Sequence, residues 1–290
     1  MVQGQIVRCV GGLYAIECGQ HVISCRARGK FRWEGVTPLV GDRVELTVLP
    51  DGFGRIENIL PRDNAFVRPP VANIDALVMV AAGITPRTDP FLADKMAVTA
   101  ELVGASFALC VNKMDIAEHE PLCRALALAG YPVFRTSAVT GEGLTQLGGF
   151  LSGKLAAFTG NSGVGKSTLL SALCPGLNLA AGEISEKLGR GRHTTRHVEI
   201  HTLPGGARVA DTPGFSVFET GRDVMPQDMG ALFPEFRPYL GNCRFAGCLH
   251  VGVKGCAVGE ALEQGRIAPS RFESYRRLLD EAKGRNPWDV

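Results

Sequence analysis

Two sets of side chains in this sequence have the types and spacings to do chemistry. The first is Gly160-Asn161-Ser162-Gly163-Val164-Gly165-Lys166-Ser167, of the form G-x-x-x-x-G-K-S. Glycines at these places let consecutive backbone N–H groups turn inward around phosphate oxygens. A helix starting at the end of the loop adds partial positive charge. In such a loop Lys166 reaches the β- and γ-phosphates and Ser167 holds Mg²⁺, with Thr168 next in line at the head of the helix. Lys166 is therefore a candidate catalytic group as well as a phosphate ligand. The second set is Cys243-x4-Cys248-x-His250-x5-Cys256, three thiols and one imidazole within 14 residues. That inventory suits a closed tetrahedral Zn²⁺ site with no position left for a catalytic water. Zinc there would be structural, supplying folding energy to a segment too small for its own core.

A further motif bears on which nucleotide the phosphate loop serves. Asn112-Lys113-Met114-Asp115 reads N-K-x-D and resembles the guanine-reading motif of GTPases. Guanine offers two donors, N1–H and the exocyclic amine, to which the Asp115 carboxylate can pair in bidentate fashion. Adenine has the wrong donor pattern, and a buried polar group left unpaired rejects it strongly. Asn112 would tie the loop together and meet N7, while the Lys113 stem lies on the base face. Ser137-Ala138 follows the next strand, where GTPases offer a backbone N–H to the guanine O6. Asp211-Thr212-Pro213-Gly214 resembles the second GTPase switch, D-x-x-G. Asp211 would contact Mg²⁺ through water and the Gly214 N–H would sense the γ-phosphate. The first switch is expected in Gly189-Arg190-Gly191-Arg192-His193-Thr194-Thr195-Arg196, where either Thr194 or Thr195 closes over Mg²⁺. Conventional GTPases often carry a water-orienting glutamine just after D-x-x-G. Here that residue is Phe215, which cannot hydrogen-bond water, so His193 is the candidate catalytic substitute.

The elements that must position these residues can be read from hydrophobic patterning. Residues 64–222 alternate strand and helix. Asn73-Ile74-Asp75-Ala76-Leu77-Val78-Met79-Val80-Ala81-Ala82 is a run fit for a strand buried on both faces. Phe107-Ala108-Leu109-Cys110-Val111, Pro132-Val133-Phe134-Arg135-Thr136 and Leu155-Ala156-Ala157-Phe158 read as further strands. Two more are expected at Arg196-His197-Val198-Glu199-Ile200-His201 and Ala207-Arg208-Val209-Ala210, with helices over 90–103, 120–129 and 167–173. The pattern predicts an α/β domain with a largely parallel sheet, helices on both faces and function at the carboxyl ends of its strands. In sequence order N-K-x-D and S-A precede the phosphate loop, the reverse of the usual arrangement, so the domain is circularly permuted. The second switch then ends the domain and leads into the C-terminal module, on which a γ-phosphate-dependent shift could pull.

On either side the patterning changes. Residues 1–63 show short alternating strands at about ten-residue spacing, split by glycines, which suggests an OB-type β-barrel. Within it, Arg26-Ala27-Arg28-Gly29-Lys30-Phe31-Arg32-Trp33 interleaves cations with two aromatics, either an RNA-binding loop or a solvated loop with two partly buried rings. Residues 223–290 form a small α-helical zinc-binding module whose stretch 271–283 reads as a helix. The chain is thus multidomain. A net charge of +2 over 290 residues gives no general case for nucleic acid, which must rest on local patches. No apolar run reaches 18 residues, and no signal peptide is visible at the N-terminus. Of nine cysteines, the six outside the cluster sit in apolar runs and read as small hydrophobes of a reducing cytoplasm.

Barrel, permuted GTPase and C-x4-C-x-H-x5-C in this order resemble the RsgA family of small ribosomal subunit biogenesis GTPases. Gly191-Arg192-His193-Thr194-Thr195 and Asp211-Thr212-Pro213-Gly214-Phe215 belong to that resemblance. It implies GTP and GDP as ligands with Mg²⁺, bound zinc, contact with the 30S subunit and its rRNA, and ribosome-stimulated hydrolysis late in 30S maturation. It also implies a cytoplasmic protein, and nothing in the sequence suggests a dimer seam, so a monomer is expected. An alternative reading is a nucleotide-gated RNA-binding module, in which hydrolysis only resets binding.

Overall fold

Alternation of apolar and polar residues builds the first unit. Five strands, β1 (Val2–Val10), β2 (Leu13–Cys18), β3 (His21–Ala27), β4 (Arg43–Val48) and β5 (Gly54–Ile59), pair in the order β1-β2-β3-β5-β4. β1 pairs again with β4, which closes the barrel, and only the β3–β5 pair is parallel. Ile6, Ile16, Cys25, Val44, Leu46 and Ile56 fill its centre. The computed structural model describes residues 1–174, 198–203, 205–212, 217–220 and 223–284 of the chain. A short helix, α1 (Lys30–Trp33), crosses between β3 and β4. It splits the two aromatics of the expected RNA-binding loop. Phe31 is buried in the barrel core, whereas Trp33 is 94% exposed. Phe31 is therefore packing, not a stacking platform, because one turn of helix turns successive side chains to different sides.

A linker fixes the barrel to the next unit. Arg62 donates from Nε and Nη2 to the two oxygens of fully buried Asp42, at 2.7 and 2.8 Å. β6 (Ala65–Phe66) and β7 (Val71–Ala72) form a small ribbon. Gly41 approaches it so closely that a Cβ would stand 2.0 Å from the Ala72 oxygen.

The central sheet runs β10-β9-β8-β11-β13-β12, from β8 (Ala76–Ala82), β9 (Ser106–Asn112), β10 (Val133–Arg135), β11 (Leu155–Thr159), β12 (Glu199–Thr202) and β13 (Arg208–Asp211). Five strands are parallel, and β12 is the antiparallel edge. Every residue of β8 is buried, as a strand covered on both faces requires. Its alternate residues face opposite cores. Leu77, Met79 and Ala81 pack with α2 (Pro90–Val103) and α3 (Glu120–Leu128). Val78, Val80 and Ala82 pack with α4 (Leu144–Leu151) and α5 (Lys166–Leu173). The sheet does not end at β12: Arg8 of β1 pairs with Glu199, so barrel and central sheet are continuous through one register pair.

The C-terminal module is built on 3₁₀ turns at Met229–Leu232 and Pro234–Tyr239, then α6 (Ala257–Glu263) and α7 (Pro269–Lys283). Pro269 at the first turn of α7 is pre-set for a helix start. Phe233, Phe236, Tyr275 and Leu279 form its core, joined by Val98 of α2.

Candidate functional site

Four of the sequence motifs meet at one edge of the central sheet, beyond the carboxyl ends of its parallel strands. Asn112-Lys113-Met114-Asp115 begins at the last residue of β9, and Ser137-Ala138 follows β10. Gly160 to Ser167 joins β11 to α5, and Asp211 ends β13. The permuted order costs nothing in geometry, because each motif still sits at its own strand end.

Asn112 joins three of these loops. It is 2% exposed. Its Nδ2 donates to the Val164 carbonyl of the phosphate loop at 3.1 Å. Its Oδ1 accepts the Ala138 N–H at 3.1 Å and the Thr136 hydroxyl at 3.4 Å. One buried amide thereby spans the base-reading, phosphate and Ser137-Ala138 loops with both ends satisfied. Gly165 permits this contact. Its φ is +93°, and a Cβ would lie 2.5 Å from Asn112 Nδ2. Lys113 adopts a left-handed φ of 65°, and its carbonyl accepts from the Ile116 and Ala117 N–H groups. Met114 N–H donates to the Thr136 carbonyl at 3.1 Å, which pins the turn to the strand below. The turn leaves the Asp115 side chain exposed, where an incoming base could meet it.

The phosphate loop has the conformation its glycines allow. Gly160 (φ +136°) passes so near β8 that a Cβ would lie 2.2 Å from the Val80 oxygen, and Gly163 (φ +84°) is also left-handed. Val164, next in the chain after Gly163, is fully buried and anchors the loop. Lys166 Nζ donates to the Gly160 and Asn161 carbonyls at 2.5 and 3.0 Å. Burial lowers its ammonium below the ordinary lysine value. Incoming phosphate oxygens would give that cation better partners than two carbonyls. Asn161 and Ser167 are half-buried, while Ser162 and Thr168 are exposed. Burial raises the Asp211 carboxyl, opposed by His201, while Glu199 adds to the rise. Thr212 is 7% exposed. His193, Thr194, Thr195, Gly214 and Phe215 lie outside the described residues.

The cysteine and histidine cluster is assembled by three turns and one helix start. The His250 Nδ1 lies 3.4 Å from Cys243 Sγ and 3.5 Å from Cys256 Sγ, and the two sulfurs are 3.9 Å apart. With Cys248, all four donor atoms fall within 4.8 Å of one another. A tetrahedral zinc with ordinary bond lengths has edges of about 3.8 Å between sulfurs and about 3.6 Å between sulfur and nitrogen. The cluster fits that ion. Backbone N–H groups of His250 and Gly259 donate to Cys248 Sγ and Cys256 Sγ, both at 3.3 Å, as they would to metal-bound thiolates whose charge they help to hold. Burial pushes the Cys256 thiol up to about 11, and a dication among the donors would reverse that. Burial likewise lowers His250, which keeps the imidazole neutral as a ligand must be.

Sequence reasoning missed two features, one at the nucleotide loops and one between α2 and the C-terminal module. Residues 83–88, after β8, press on the phosphate loop: Pro86 Cδ lies 3.2 Å from where a Cβ on Gly163 would stand. Nothing in the spacing of these residues marks such a contact. The second is Arg271, which is fully buried and clasped by Asp94 of α2 and by Glu235. In the barrel, exposed Arg28 is tied to Glu57 at 2.8 Å and Lys30 to Asn58 at 3.0 Å, whereas Arg26, Arg32 and Trp33 are exposed without such a tie.

Comparisons with known proteins agree with this architecture. The RsgA GTPase family model matches residues 59–221, and the RsgA N-terminal domain model matches residues 3–56. The small ribosomal subunit biogenesis GTPase RsgA of Caldanaerobacter subterraneus subsp. tengcongensis is 45% identical, over 97% of this chain and 96% of its own. The protein of that name from Geobacillus thermodenitrificans is 43% identical over 99% of each chain. Among solved structures, YjeQ from Thermotoga maritima superposes with a TM-score of 0.82 at 35% identity, covering 98% of this chain and 99% of that one. YloQ, a circularly permuted GTPase, gives 0.80 at 33% identity, with 99% and 96% covered.

Proposed function

We propose that this chain, a GTP hydrolase that belongs to the RsgA GTPase family, acts on the maturing 30S ribosomal subunit and couples GTP turnover to its contact with rRNA. The observation that carries the nucleotide reading is the Asn112 clamp, which holds base-reading and phosphate-binding loops in one unit. Asp115 would pair with the guanine N1–H and exocyclic amine. The Ser137-Ala138 loop would offer a backbone N–H to O6, the Ala138 N–H doing so only by sharing its proton with Asn112 Oδ1, and Lys113 would cover the base. The N–H groups of residues 160–167 and the Lys166 ammonium would hold the phosphates, with Ser167 and, through water, Asp211 on Mg²⁺. That ion, when bound, would supply charge neutralisation to the phosphates. In hydrolysis a water oxygen bonds to the γ-phosphorus and gives up its proton to the departing phosphate, while the bond between the γ-phosphorus and the bridging oxygen breaks. The electron pair stays on the β-phosphate, where Lys166 and the loop N–H groups offset it.

The switch assignments, Thr194 or Thr195 on Mg²⁺ and Gly214 on the γ-phosphate, rest on sequence. So does His193 as the group that orients water in place of the side chain at Phe215. The Cys243, Cys248, His250 and Cys256 cluster would hold structural zinc. Trp33, with Arg26 and Arg32, supports the rRNA contact, since an exposed indole flanked by cations suits an unstacked base. We further read the protein as a cytoplasmic monomer; among the described residues no helix is long and apolar enough to cross a membrane.

Nucleotide competition tests the reading. GTP should displace labelled GDP while ATP does not, and Asp115→Asn should weaken GTP by about a hundredfold or more while gaining XTP, because the amide offers a donor to the xanthine 2-oxo group. Equal affinity for ATP would overturn it. Turnover measured with and without 30S subunits tests the ribosomal part. His193→Ala should keep GTP binding and lose the stimulated rate.

A further inference from the structure

His119 lies four residues after Asp115 and takes no part in the chemistry described above. It is 2% exposed. Its Nε2 stands 3.1 Å from the Thr88 carbonyl, so that nitrogen carries the proton and donates. Its Nδ1 is buried with no hydrogen-bond partner. A leucine or phenylalanine would fill the same space without leaving a dry nitrogen, so the bond to Thr88 is what the imidazole adds here.

That bond closes a bracket around the nucleotide loops. Thr88 is itself 1% exposed and folds back on the end of β8: its N–H donates to the Ala82 carbonyl, and its hydroxyl accepts the Ala82 N–H, both at 3.1 Å. The loop so formed, residues 83–88, touches both halves of the site. At one end Gly83 lies against the base-reading turn, where a Cβ would meet the Glu118 oxygen at 2.3 Å and the Ala117 oxygen at 3.2 Å. At the other, Pro86 backs onto Gly163 of the phosphate loop. The His119 carbonyl also accepts the Leu122 and Cys123 N–H groups that start α3. The turn carrying Asp115 is thus held upstream by Asn112 and downstream by His119.

We propose that His119 is a positioning residue for guanine recognition, fixing the Asp115 turn onto residues 83–88 so that base and phosphates are gripped at a set distance. The proposal rests on the assignment of Asp115 to the base. A carboxylate reading two donors at once tolerates little displacement, so loosening this contact should cost discrimination as well as affinity.

The test compares equilibrium binding of GDP and IDP, and the KM and kcat for GTP, in the full-length protein. IDP lacks the exocyclic amine that Asp115 would read. His119→Leu should raise the KM for GTP and the Kd for GDP about tenfold, as the loss of one buried hydrogen bond with its partner left unpaired implies. The kcat should hold, and the preference for GDP over IDP should shrink toward unity. His119→Gln, whose amide can donate at the Nε2 position, should restore both values. Gly83→Ala, which pushes the same two loops apart from the other side, should copy His119→Leu. If His119→Leu does not fold, Gly83→Ala and His119→Gln decide by the same readouts. Variants with lowered thermal stability but unchanged Kd and GDP/IDP ratio would make His119 merely structural and overturn the proposal. A wild-type protein with no preference for GDP over ADP would instead sink the guanine assignment, leaving the His119 comparison without its premise and therefore rejected.

Discussion

The barrel and the C-terminal module both lean on the central sheet, but by different means. The barrel adds a strand to an edge: β1 meets β12 at Arg8 and Glu199, whose side chains pair at 3.8 Å and are 54% and 41% exposed. Arg208 reinforces it by reaching across to Gln5 and Glu17. The C-terminal module shares a core with α2, through Val98 and Phe91. At its centre Arg271 donates from Nε and Nη2 to Glu235 and from Nη1 to Asp94. The guanidinium also lies 4.7 Å from the Phe233 ring centroid. Lys95 to Glu281 and Arg237 to Glu101 add pairs at the rim. One attachment is an exposed strand edge and the other a dry ion cluster inside a core. The difference bears on how a nucleotide signal could travel. Residues 217–220 precede the C-terminal module, and they are pinned: Phe218 packs on Phe66 and its N–H meets Met96 Sδ, while Glu219 pairs with Val67 and Arg68. A pull from the second switch would reach α2 and the β6–β7 ribbon before it reached the module.

The largest expected effect concerns the zinc proposed for the Cys243, Cys248, His250 and Cys256 cluster. Structural zinc supplies on the order of 10 kcal/mol of binding free energy in small zinc modules. Chelation, or Cys248→Ser, should therefore unfold α6 and the turns around it. Hydrogen exchange should accelerate there while the β2 amides of the barrel keep their protection. Acceleration in both would mean that the two attachments are energetically one, and the contrast between them would fail.

Next comes Arg271→Ala. It leaves the Asp94 and Glu235 carboxylates buried without their cation, a change that costs about 3–5 kcal/mol. The loss should appear in chemical denaturation followed at the C-terminal module. Replacing all three residues by apolar ones of similar volume should recover much of it, because the desolvation of three charges is removed along with their attraction.

The same contrast explains what could be read from sequence. The phosphate loop and the Cys/His cluster were legible because their members lie within a few residues of one another and their spacing carries the chemistry. Asn112 was legible in part: its motif marked a loop tie, but only the fold shows Val164 and Ala138 as its two ends. Arg271 looked like an ordinary cation at the start of a helix. Its partner Asp94 is 177 positions away, and nothing local marks a guanidinium for burial. Phe31 stays open in the sequence for a related reason, since its cationic neighbours fit an exposed or a partly buried ring equally, and only the single helical turn carries it into the barrel core. The edge pairing of β1 with β12 was equally hidden, because each strand's alternation specifies a buried face and leaves open which strand lies beside it.

Arg208→Met should have an intermediate effect, about 1–2 kcal/mol, because the guanidinium is partly buried and its loss strands Glu17 and Gln5. Arg8→Ala should have the smallest. An exposed pair at 3.8 Å contributes about 0.5 kcal/mol or less, and salt screens it further. If β1 holds to β12 through backbone pairing and Arg208, then Arg8→Ala will leave the denaturation midpoint nearly unchanged in low and high salt alike. A loss as large as that of Arg271→Ala would show that one surface ion pair fastens the barrel, and that exposure is the wrong guide to which attachment is the firmer.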